Sequence, residues 1–251
     1  MSFFHSPRIV TDGLVTYIDP ANVKSYPSAS SKVYNLANFN ETGSIGSDVT
    51  FITSSLGAFN FDPGPGNNFI EVQMTDMVNV FGTGSTEFSI SVWCRFDDVA
   101  LNSEHIFYLG PQGQDGFGAE EELHIHRPSG SNNISFFWNG NSPSNLSITV
   151  PVTEYDNQFF NFTICCDGMP LEQTDCPATG SAYVNGSYVT QSVYDSLLRF
   201  EFSGSAFRLG QPILNERKYD GDLSVVQIYN KALTEQEVLQ NFNALRGRFG
   251  I

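Results

Sequence analysis

The sequence has little positive charge, which excludes one class of partner. It contains 12 Lys and Arg against 27 Asp and Glu, so the formal net charge is −15 at pH 7. Proteins that bind nucleic acid neutralise phosphates with clustered Lys and Arg, and no such cluster occurs along this chain. We therefore expect no nucleic-acid partner. The simplest interpretation of the acidic balance is solubility at high local concentration.

Long apolar runs are also missing. No run approaches the length that crosses a membrane, so we expect no membrane insertion. Residues 1–13 lack the basic and apolar segments of a secretory signal. The sequence therefore predicts synthesis in a cytoplasm.

Cysteine is scarce, and its spacing fits no metal site. The four residues are Cys94, Cys165, Cys166 and Cys176, and they form no Cys-x-x-Cys pair of the kind that binds zinc. We expect buried, reduced thiols, because disulfides persist mainly in oxidising compartments. In an oxidising setting, a bridge between Cys166 and Cys176 is the alternative.

Phenylalanine is abundant instead, at 22 residues, and it lies in short alternating segments. Every second residue from Phe88 to Phe96 is apolar, so these side chains should share the core face of a strand. Asn185-Gly186 separates two alternating runs, which is a strong hairpin signal. Many short strands with Gly, Asn and Ser turns predict an all-β fold, a two-sheet antiparallel β-sandwich or jelly roll. Further strands are expected at 14–18, 69–74, 105–110, 122–127, 134–140, 157–168, 206–213 and 223–229. A pair of strands broken near Gly57 is expected at 51–62, and a long loop at 25–48.

One short C-terminal helix should close this strand-rich chain. Thr234 lies three residues before Glu237, which is the spacing of a capping box, in which each side chain binds the other residue's backbone N–H. After the cap, apolar residues recur at helical spacing and predict one apolar face. The residues of that predicted face are Val238, Leu239, Phe242 and Leu245.

Several motifs connect this strand pattern to a known family. Their residue types and order resemble those of the laminin-G-like domains of the concanavalin A-like lectin/glucanase superfamily. The resemblance implies a concanavalin A-like sandwich but no particular function. The matching motifs are Phe61-Asp62, Phe69–Val72, FSISVWCRF from Phe88, Tyr183–Gly186, Phe207–Gly210 and the block Tyr219–Arg248.

The N-terminal stretch resembles a narrower group of proteins. Residues 5–27, HSPRIVTDGLVTYIDPANVKSYP, are similar to the opening of laminin-G-like virion proteins of tailed bacteriophages, especially those of marine and cyanobacterial hosts. The following step, Val33–Ala37, departs from that pattern. The resemblance implies a bacteriophage virion structural protein, made in the host cytoplasm and displayed on the capsid or tail. Such a decoration, fibre or attachment subunit would act by binding and not by catalysis.

The domain organisation expected from this resemblance is simple. Residues 1–12 form an N-terminal arm, and residues 13–251 form a single laminin-G-like domain. Either the arm or the segment Arg246–Ile251, which carries two cations on an acidic chain, is expected to dock on other virion proteins of the capsid or tail. Assembly into a homo-oligomer is compatible with this role.

A lectin that binds a host surface glycan is the alternative function from the binding class. Sugar binding uses exposed aromatic rings that stack on the sugar, aided by amide groups. For the two tryptophans, Trp93 and Trp138, packing within or between the sheets is the competing interpretation, because large aromatic residues are mostly buried. The predicted ligand-binding residues are Trp138, Tyr155, Tyr188, Asn139 and Asn141.

A glucanase is the second alternative, because the same sandwich also hosts enzymes. A retaining glycosidase needs two carboxyl groups about 5 Å apart. The acidic run Glu120–Glu122 offers no alternating Glu-x-Asp pattern, and no second acid follows it before Pro128. We therefore expect a solvated loop there and no catalytic residues.

Calcium is the only cofactor that the sequence suggests. Laminin-G-like domains often hold one calcium ion, and hard oxygen ligands gathered from loops suit it. The competing interpretation is turn chemistry, which also favours Asp and Asn. The predicted ligands are Asp62, Asn67, Asn68, Asp220 and Asp222.

A second possible metal site involves histidine. His124 and His126 are two residues apart on a predicted strand and share a face with Glu122. No further ligand is identifiable, and metal sites need three or four. We therefore expect an exposed strand face with two ordinary imidazoles.

Overall fold

Two antiparallel sheets carry most of the regular structure. The computed structural model describes residues 7–27, 29–54, 56–75, 80–81, 87–97, 102–110, 122–139, 145–167, 178–194, 206–212 and 217–251. In chain order, its strands are β1 (Leu14–Ile18), β2 (Lys32–Tyr34), β3 (Thr42–Ile45), β4 (Val49–Ile52), β5 (Ala58–Phe61), β6 (Ile70–Gln73), β7 (Phe88–Phe96), β8 (Glu104–Leu109), β9 (Glu122–Arg127), β10 (Asn133–Asn139), β11 (Asn145–Pro151), β12 (Phe160–Asp167), β13 (Ala178–Val184), β14 (Ser187–Tyr194), β15 (Ala206–Leu209) and β16 (Gly221–Tyr229).

Each sheet has eight strands among the described residues. Sheet A has the order β14-β13-β12-β7-β16-β5-β4, with β1 paired to β16, and sheet B has the order β11-β10-β9-β8-β15-β6-β3-β2. The order places β14 and β11 at the edges on one flank of the sandwich. Strands β4 and β2 form the edges on the opposite flank.

The apolar faces of the two sheets meet in one core. The alternate residues from Phe88 to Phe96 on β7 are all buried there, as the sequence predicts. Phe88 of sheet A contacts Trp138 of sheet B edge to face, with ring centroids 5.3 Å apart. The predicted two-layer antiparallel sandwich is therefore confirmed, because ring contacts join the two layers directly.

The hairpin between β13 and β14 forms where Asn185-Gly186 predicts it. Both residues have positive φ, at 49° and 75°, as a type I′ turn requires. A Cβ on Gly186 would lie 2.9 Å from the Cβ of Phe242, so the position also needs a residue without a side chain. The two amino acids thus meet the demands of the turn and of the neighbouring helix.

The prediction of one long loop over residues 25–48 is wrong. Strands β2 and β3 lie within it and pair with each other, and β3 also pairs with β6. They have only three and four residues, too few for a clear alternating pattern, so their pairing with neighbouring strands fixes them. A Cβ on Gly43 would lie 2.7 Å from a methyl group of Val33, which explains a glycine inside a strand.

Strand β11 is a second element that sequence reasoning misses. Leu146, Ile148 and Val150 point inward, while Ser147 and Thr149 are exposed. The segment follows a run of Asn, Ser and Pro, and its alternation is short. Its place is fixed by pairing with β10 along its whole length.

Helix α1 (Glu235–Phe249) packs on the outer face of sheet A. The predicted capping box is present, because the Thr234 hydroxyl accepts from the Glu237 N–H and the Glu237 carboxylate accepts from the Thr234 N–H. Val238 and Phe242 are buried as predicted. Leu239 is 45% exposed, so the predicted apolar face is wrong at this position.

An aromatic stack holds the helix against the sheet. The Trp93 ring of β7 lies parallel to Phe242, with centroids 5.6 Å apart, and to Phe249, with centroids 4.2 Å apart. Trp93 is fully buried, which confirms packing as its role. The helix residues that face the sheet are therefore Phe242, Leu245 and Phe249, and Leu239 is not among them.

The N-terminal segment lies along the same helix. The Val10 N–H donates to Asn241 Oδ1 at 2.8 Å, and the Tyr229 hydroxyl donates to the Val10 carbonyl at 3.1 Å. Gln240 Nε2 donates to the Arg8 carbonyl at 2.8 Å. Arg8 and Val10 of the predicted arm thus contact the helix, and residues 1–6 lie outside the described residues.

Arg248, near the end of the helix, joins distant parts of sheet A. Its guanidinium contacts Asp19 Oδ1 at 2.7 Å and donates to the carbonyls of Leu56 and Gly57 at 2.8 and 2.6 Å. It also donates to the Ser224 hydroxyl at 2.8 Å. One side chain thereby ties β1, β16 and the turn before β5 to the helix.

Two other expectations concern cysteine and membranes. Cys94, Cys165 and Cys166 are buried and free, as expected for structural thiols, and Cys176 lies outside the described residues. No helix in the described part of the chain is long and apolar enough to cross a membrane.

The different positions of Phe242 and Leu239 give a direct test of how the helix packs. We expect Phe242→Ala to lower the free energy of unfolding by about 3 kcal/mol, because it removes a buried ring from the stack on Trp93. Leu239→Ala on the same helix should change it by no more than about 0.5 kcal/mol. Urea denaturation followed by tryptophan fluorescence measures both, and equal effects would contradict this orientation.

Candidate functional site

The outer face of sheet B carries a group of polar and aromatic side chains. Because alternate residues of a strand point to opposite faces, the residues between the core positions of β6, β8, β9, β10 and β15 gather on this side. We call this side of the sheet the polar face. Its members are Glu71, His105, Tyr108, Glu122, His124, His126, Phe137 and Arg208.

Strand register places these residues in a row across the sheet. Phe137 is opposite His124, and His124 is opposite Tyr108. Tyr108 is opposite Arg208, which is in turn opposite Glu71. Five neighbouring strands thus contribute one side chain each to a continuous band, although their positions in the chain are far apart.

Three histidines form a compact cluster within the polar face. The ring centroid of His124 lies 4.7 Å from those of both His105 and His126, and the latter two are 5.7 Å apart. All three are buried, so the prediction of an exposed face at His124 and His126 is wrong. Alternation identified the face that they share but not its burial, since β9 is covered on both sides.

Burial keeps these imidazoles neutral. It lowers the pKa of His105 and His124 well below the usual value, and neighbouring histidines and Arg217 lower both further. Burial and Arg217 lower the pKa of His126 to about 4. A neutral imidazole can donate one hydrogen bond and accept another, so the cluster is a hydrogen-bonding group without charge at pH 7.

The carboxylates near the cluster are held by arginines or buried. Glu71 Oε2 accepts from Arg208 Nε and lies 2.8 Å from both Arg208 Nε and Nη2. Arg208 also lies over the Phe69 ring, 4.2 Å from its centroid. Glu104 is 3.9 Å from the Arg127 guanidinium, which is fully buried. These contacts hold the carboxylates of Glu71 and Glu104 in fixed positions.

A cleft of about 460 Å³ opens next to the cluster. Asn102, Ser103, Ser129 and Arg217 line it, and we call it the Arg217 cleft. The Arg217 carbonyl accepts from the His105 N–H at 3.0 Å, which joins the cleft to the polar face. Its lining is polar and combines amide, hydroxyl and guanidinium groups, which suits a ligand rich in hydroxyl groups.

Sequence reasoning misses the Arg217 cleft. Asn102, Ser103 and Ser129 lie in turns between strands, where such residues are common and indicate no function. Arg217 is isolated in sequence from the others. The backbone contact between Arg217 and His105, which are far apart in sequence, brings Arg217 next to β8.

The structure removes Trp138 from the predicted ligand-binding residues. Its ring is 2% exposed and packs against Phe88 between the sheets, so it cannot stack on a sugar. Tyr155 lies in a short 3₁₀ turn (Thr153–Tyr155) and stacks on Phe160, with centroids 5.6 Å apart. Trp138 is buried because it lies on the core side of β10, whereas Tyr155 is half-buried.

Tyr188 remains an exposed aromatic residue, at 47%. It lies on the edge strand β14, on sheet A, and contacts the Tyr183 ring edge to face. The backbone of Asn139 ends β10 on sheet B, while its side chain and Asn141 lie outside the described residues. The described part of the chain therefore does not unite the predicted residues in one site.

Cationic side chains lie at two points of the predicted calcium site. Asp222 is fully buried, 2.7 Å from Arg95 Nη2, and its other oxygen accepts from Asn60 Nδ2 at 3.0 Å. Lys218 Nζ donates to the carbonyls of Gly64 and Gly66 within the predicted loop, at 2.5 and 2.7 Å. Lysine and arginine thus bind oxygen atoms here that would otherwise suit a metal ion.

The remaining predicted ligands are spread around the same loop. Asn68 is buried, and its side-chain Nδ2 donates to the Tyr219 carbonyl at 2.8 Å. Asn67 uses its backbone to contact Ser47 and Asp48. Asp62 and Asp220 lie next to the paired residues Phe61 and Gly221 at one end of the β5–β16 ladder. Calcium binding by these residues stays a prediction.

No metal centre emerges from the described residues. Within the ranges given above, no group of three or more His, Cys, Asp or Glu side chains is arranged to hold a metal ion. The acidic run considered for catalysis begins with Glu120 and Glu121, which lie outside those ranges. Its third residue, Glu122, is fully buried on the polar face and not in a solvated loop.

The fold and part of the sequence are similar to those of known proteins. Residues 66–239 match the model of the Laminin_G_3 family, described as the concanavalin A-like lectin/glucanases superfamily. No curated protein matches the chain in sequence. Similar solved structures include the botulinum neurotoxin type G receptor binding domain, with 16% identity and a TM-score of 0.66, covering 92% of this chain and 51% of that one.

A second similar structure is the binding domain of botulinum neurotoxin DC in complex with rat synaptotagmin II. It has 16% identity and a TM-score of 0.70 and covers 94% of this chain and 52% of that one. The chain therefore spans about half the length of these binding domains. At such low identity, the likeness concerns the fold alone.

The buried histidines predict a loss of stability in mild acid. The unfolded chain takes up protons below a pKa of about 6.5, whereas the folded cluster stays neutral, so stability falls as the pH falls below that value. We expect each histidine to lower the free energy of unfolding by about 1.4 kcal/mol at pH 5.5. Urea denaturation at pH 7.5 and 5.5 measures this loss. His124→Phe should reduce it by about one third, and a midpoint independent of pH would contradict the neutral cluster.

Proposed function

Because the chain belongs to the concanavalin A-like lectin/glucanases superfamily, we propose that it is a non-catalytic binding module that recognises a molecule on a cell surface. The observation that carries the proposal is the Arg217 cleft, which places four hydrogen-bonding residues beside a buried neutral cluster. The two similar binding domains, one of them in complex with rat synaptotagmin II, support a binding role on this fold.

The arrangement of carboxylates supports binding over catalysis. A glycosidase needs one carboxyl group that donates a proton and a second that attacks or activates water. On the polar face, as far as the structure describes it, Glu71 is paired with Arg208, and Glu122 is buried beside the histidines. Such carboxylates are suited to holding the surface in shape.

We infer that the ligand is a hydroxyl-rich glycan of a host surface. Asn102, Ser103 and Ser129 can each donate and accept hydrogen bonds, as sugar hydroxyl groups require. Arg217 adds a donor with fixed geometry. The net charge of −15 disfavours strongly acidic polysaccharides, because they would be repelled.

The module is further proposed to be a virion protein of a tailed bacteriophage, exposed on the capsid or tail as a decoration, fibre or attachment subunit. The similarity of residues 5–27 to such proteins supports this assignment. Several residues of that stretch bind the C-terminal part of the domain, including Asp12 to Lys231 and Asp19 to Arg248, both at 2.7 Å. The end of the sandwich at which these segments meet would contact other virion proteins.

Glycan binding through the Arg217 cleft can be tested on the purified chain. We expect binding to a subset of bacterial surface glycans on an array, and Arg217→Ala should weaken it about ten- to hundredfold, because a charged hydrogen-bond donor is lost. Arg8→Ala, an exposed position on the helix side of sheet A, is the matched control with the same change of charge and should bind normally. The absence of any array ligand, with and without calcium, would refute the lectin function.

The virion assignment needs intact particles. Antibodies against this chain should label the outer surface of tailed phage particles in electron micrographs, and its peptides should be present in purified particles by mass spectrometry. Particles that contain no such peptides would refute the virion role and leave the glycan experiment valid.

A further inference from the structure

One flank of the sandwich carries no charged residue over two long segments. The two longest runs without Asp, Glu, Lys or Arg are Pro128–Thr153 and Cys176–Tyr194, in a chain in which 16% of residues are charged. The fold brings these runs together. The first contains β10 and β11, the second contains β13 and β14, and the strand order places both pairs at the same flank.

The two edges on this flank also touch each other. A Cβ on Gly180 of β13 would lie 2.9 Å from methyl groups of both Leu146 and Ile148 on β11, so the sheets approach closely there. Strand β11 packs beside β14. Strands of both sheets that carry no charged residue therefore form this flank, and we call it the uncharged flank.

Strand β14 at its centre has the properties of a strand that accepts a partner. It is eight residues long and contains no Pro and no charge. Tyr188, Val189 and Val193 are 47%, 43% and 49% exposed. In the described part of the chain, β13 is the strand that pairs with it, and its outer backbone edge pairs with none. Soluble proteins usually protect such an edge with Lys, Pro or a short strand.

The opposite flank shows that protection. Its edge strands, β4 and β2, have four and three residues, and β2 carries Lys32. Short edges and a lysine are the devices by which proteins avoid pairing with other sheets. The two flanks of one molecule therefore differ in the feature that controls association between strands.

We propose that the uncharged flank binds a second copy of this chain, through antiparallel pairing of β14 with β14 of the copy. The strong negative charge of the molecule explains why a second copy would bind at this flank and not elsewhere. Two copies that each carry a net charge of −15 repel one another where their carboxylates approach. Pairing through the uncharged flank avoids this repulsion, because the strands of that flank carry no carboxylate.

The sequence of β14 is compatible with two-fold symmetry. With the axis at Gln191, Val189 faces Val193 of the second copy and Gln191 faces itself. Cross-strand pairs of β-branched residues stabilise antiparallel strands. Backbone N–H and C=O groups of the open edge would bond to those of the copy, and sheet A would continue across the dimer. Such a contact closes on itself and yields dimers, not fibres.

Lysine substitutions on the two flanks test this proposal on the full chain. Sedimentation velocity between about 1 and 100 µM should show a dimer for the wild type and a monomer for Val193→Lys and Gln191→Lys. Both variants reduce the net negative charge and thus the general repulsion between copies, so loss of the dimer would be specific to the edge. Thr50→Lys on β4 is exposed on the opposite flank, has the same change of charge and should remain dimeric.

Other outcomes would overturn the proposal. A wild-type chain that is monomeric throughout the range, a dimer that persists in Val193→Lys, or an assembly that grows beyond two copies would each refute it. Circular dichroism of each variant verifies folding. Hydrogen exchange gives an independent measurement that needs no substitution, since the amides of β14 should exchange more slowly at 100 µM than at 1 µM.

Discussion

The stack of Trp93 against helix α1 is the contact on which the arrangement of sheet A depends. A sheet in a sandwich buries one face in the core, and its other face needs either polar residues or a cover. Trp93 is a large apolar residue on that other face, and the rings of Phe242 and Phe249 cover it. With the helix fixed there, Asn241 and Arg248 reach the N-terminal segment and β1. One aromatic contact thus aligns both terminal segments with the middle of the sheet.

The face of sheet B that points away from the core is occupied by different kinds of residue. That face has no helix among the described elements and carries buried histidines, a tyrosine and an arginine–glutamate pair. Neutral imidazoles lower the cost of burying polar groups, because the proton that would charge them is not taken up at pH 7. The consequence is a polar face whose histidines are buried and neutral and whose Arg208 is paired with Glu71.

The sequence predicts the fold well because periodicity and caps are local signals. Every second residue from Phe88 to Phe96, the Asn185-Gly186 turn and the Thr234–Glu237 box are each determined by residues a few positions apart. The predictions that Leu239 is buried and that residues 25–48 form one loop are wrong because they concern contacts between distant parts of the chain. The rotation of a helix about its axis and the pairing of a short strand both depend on such contacts. The same limit applies to the site. Nothing near Arg217 in sequence indicates that its carbonyl meets His105.

The bond between Asp19 and Arg248 links residues separated by 229 positions. The pairing of β1 with β16 spans a similar distance, so the sheet acquires its centre from segments at opposite ends of the sequence. During synthesis on the ribosome, β1 can form this pairing only after β16, Gly221–Tyr229, has been made. Folds dominated by such long-range contacts form slowly. During that interval the Phe-rich strands are exposed, which makes the nascent chain a natural client for chaperones of the cell that translates it.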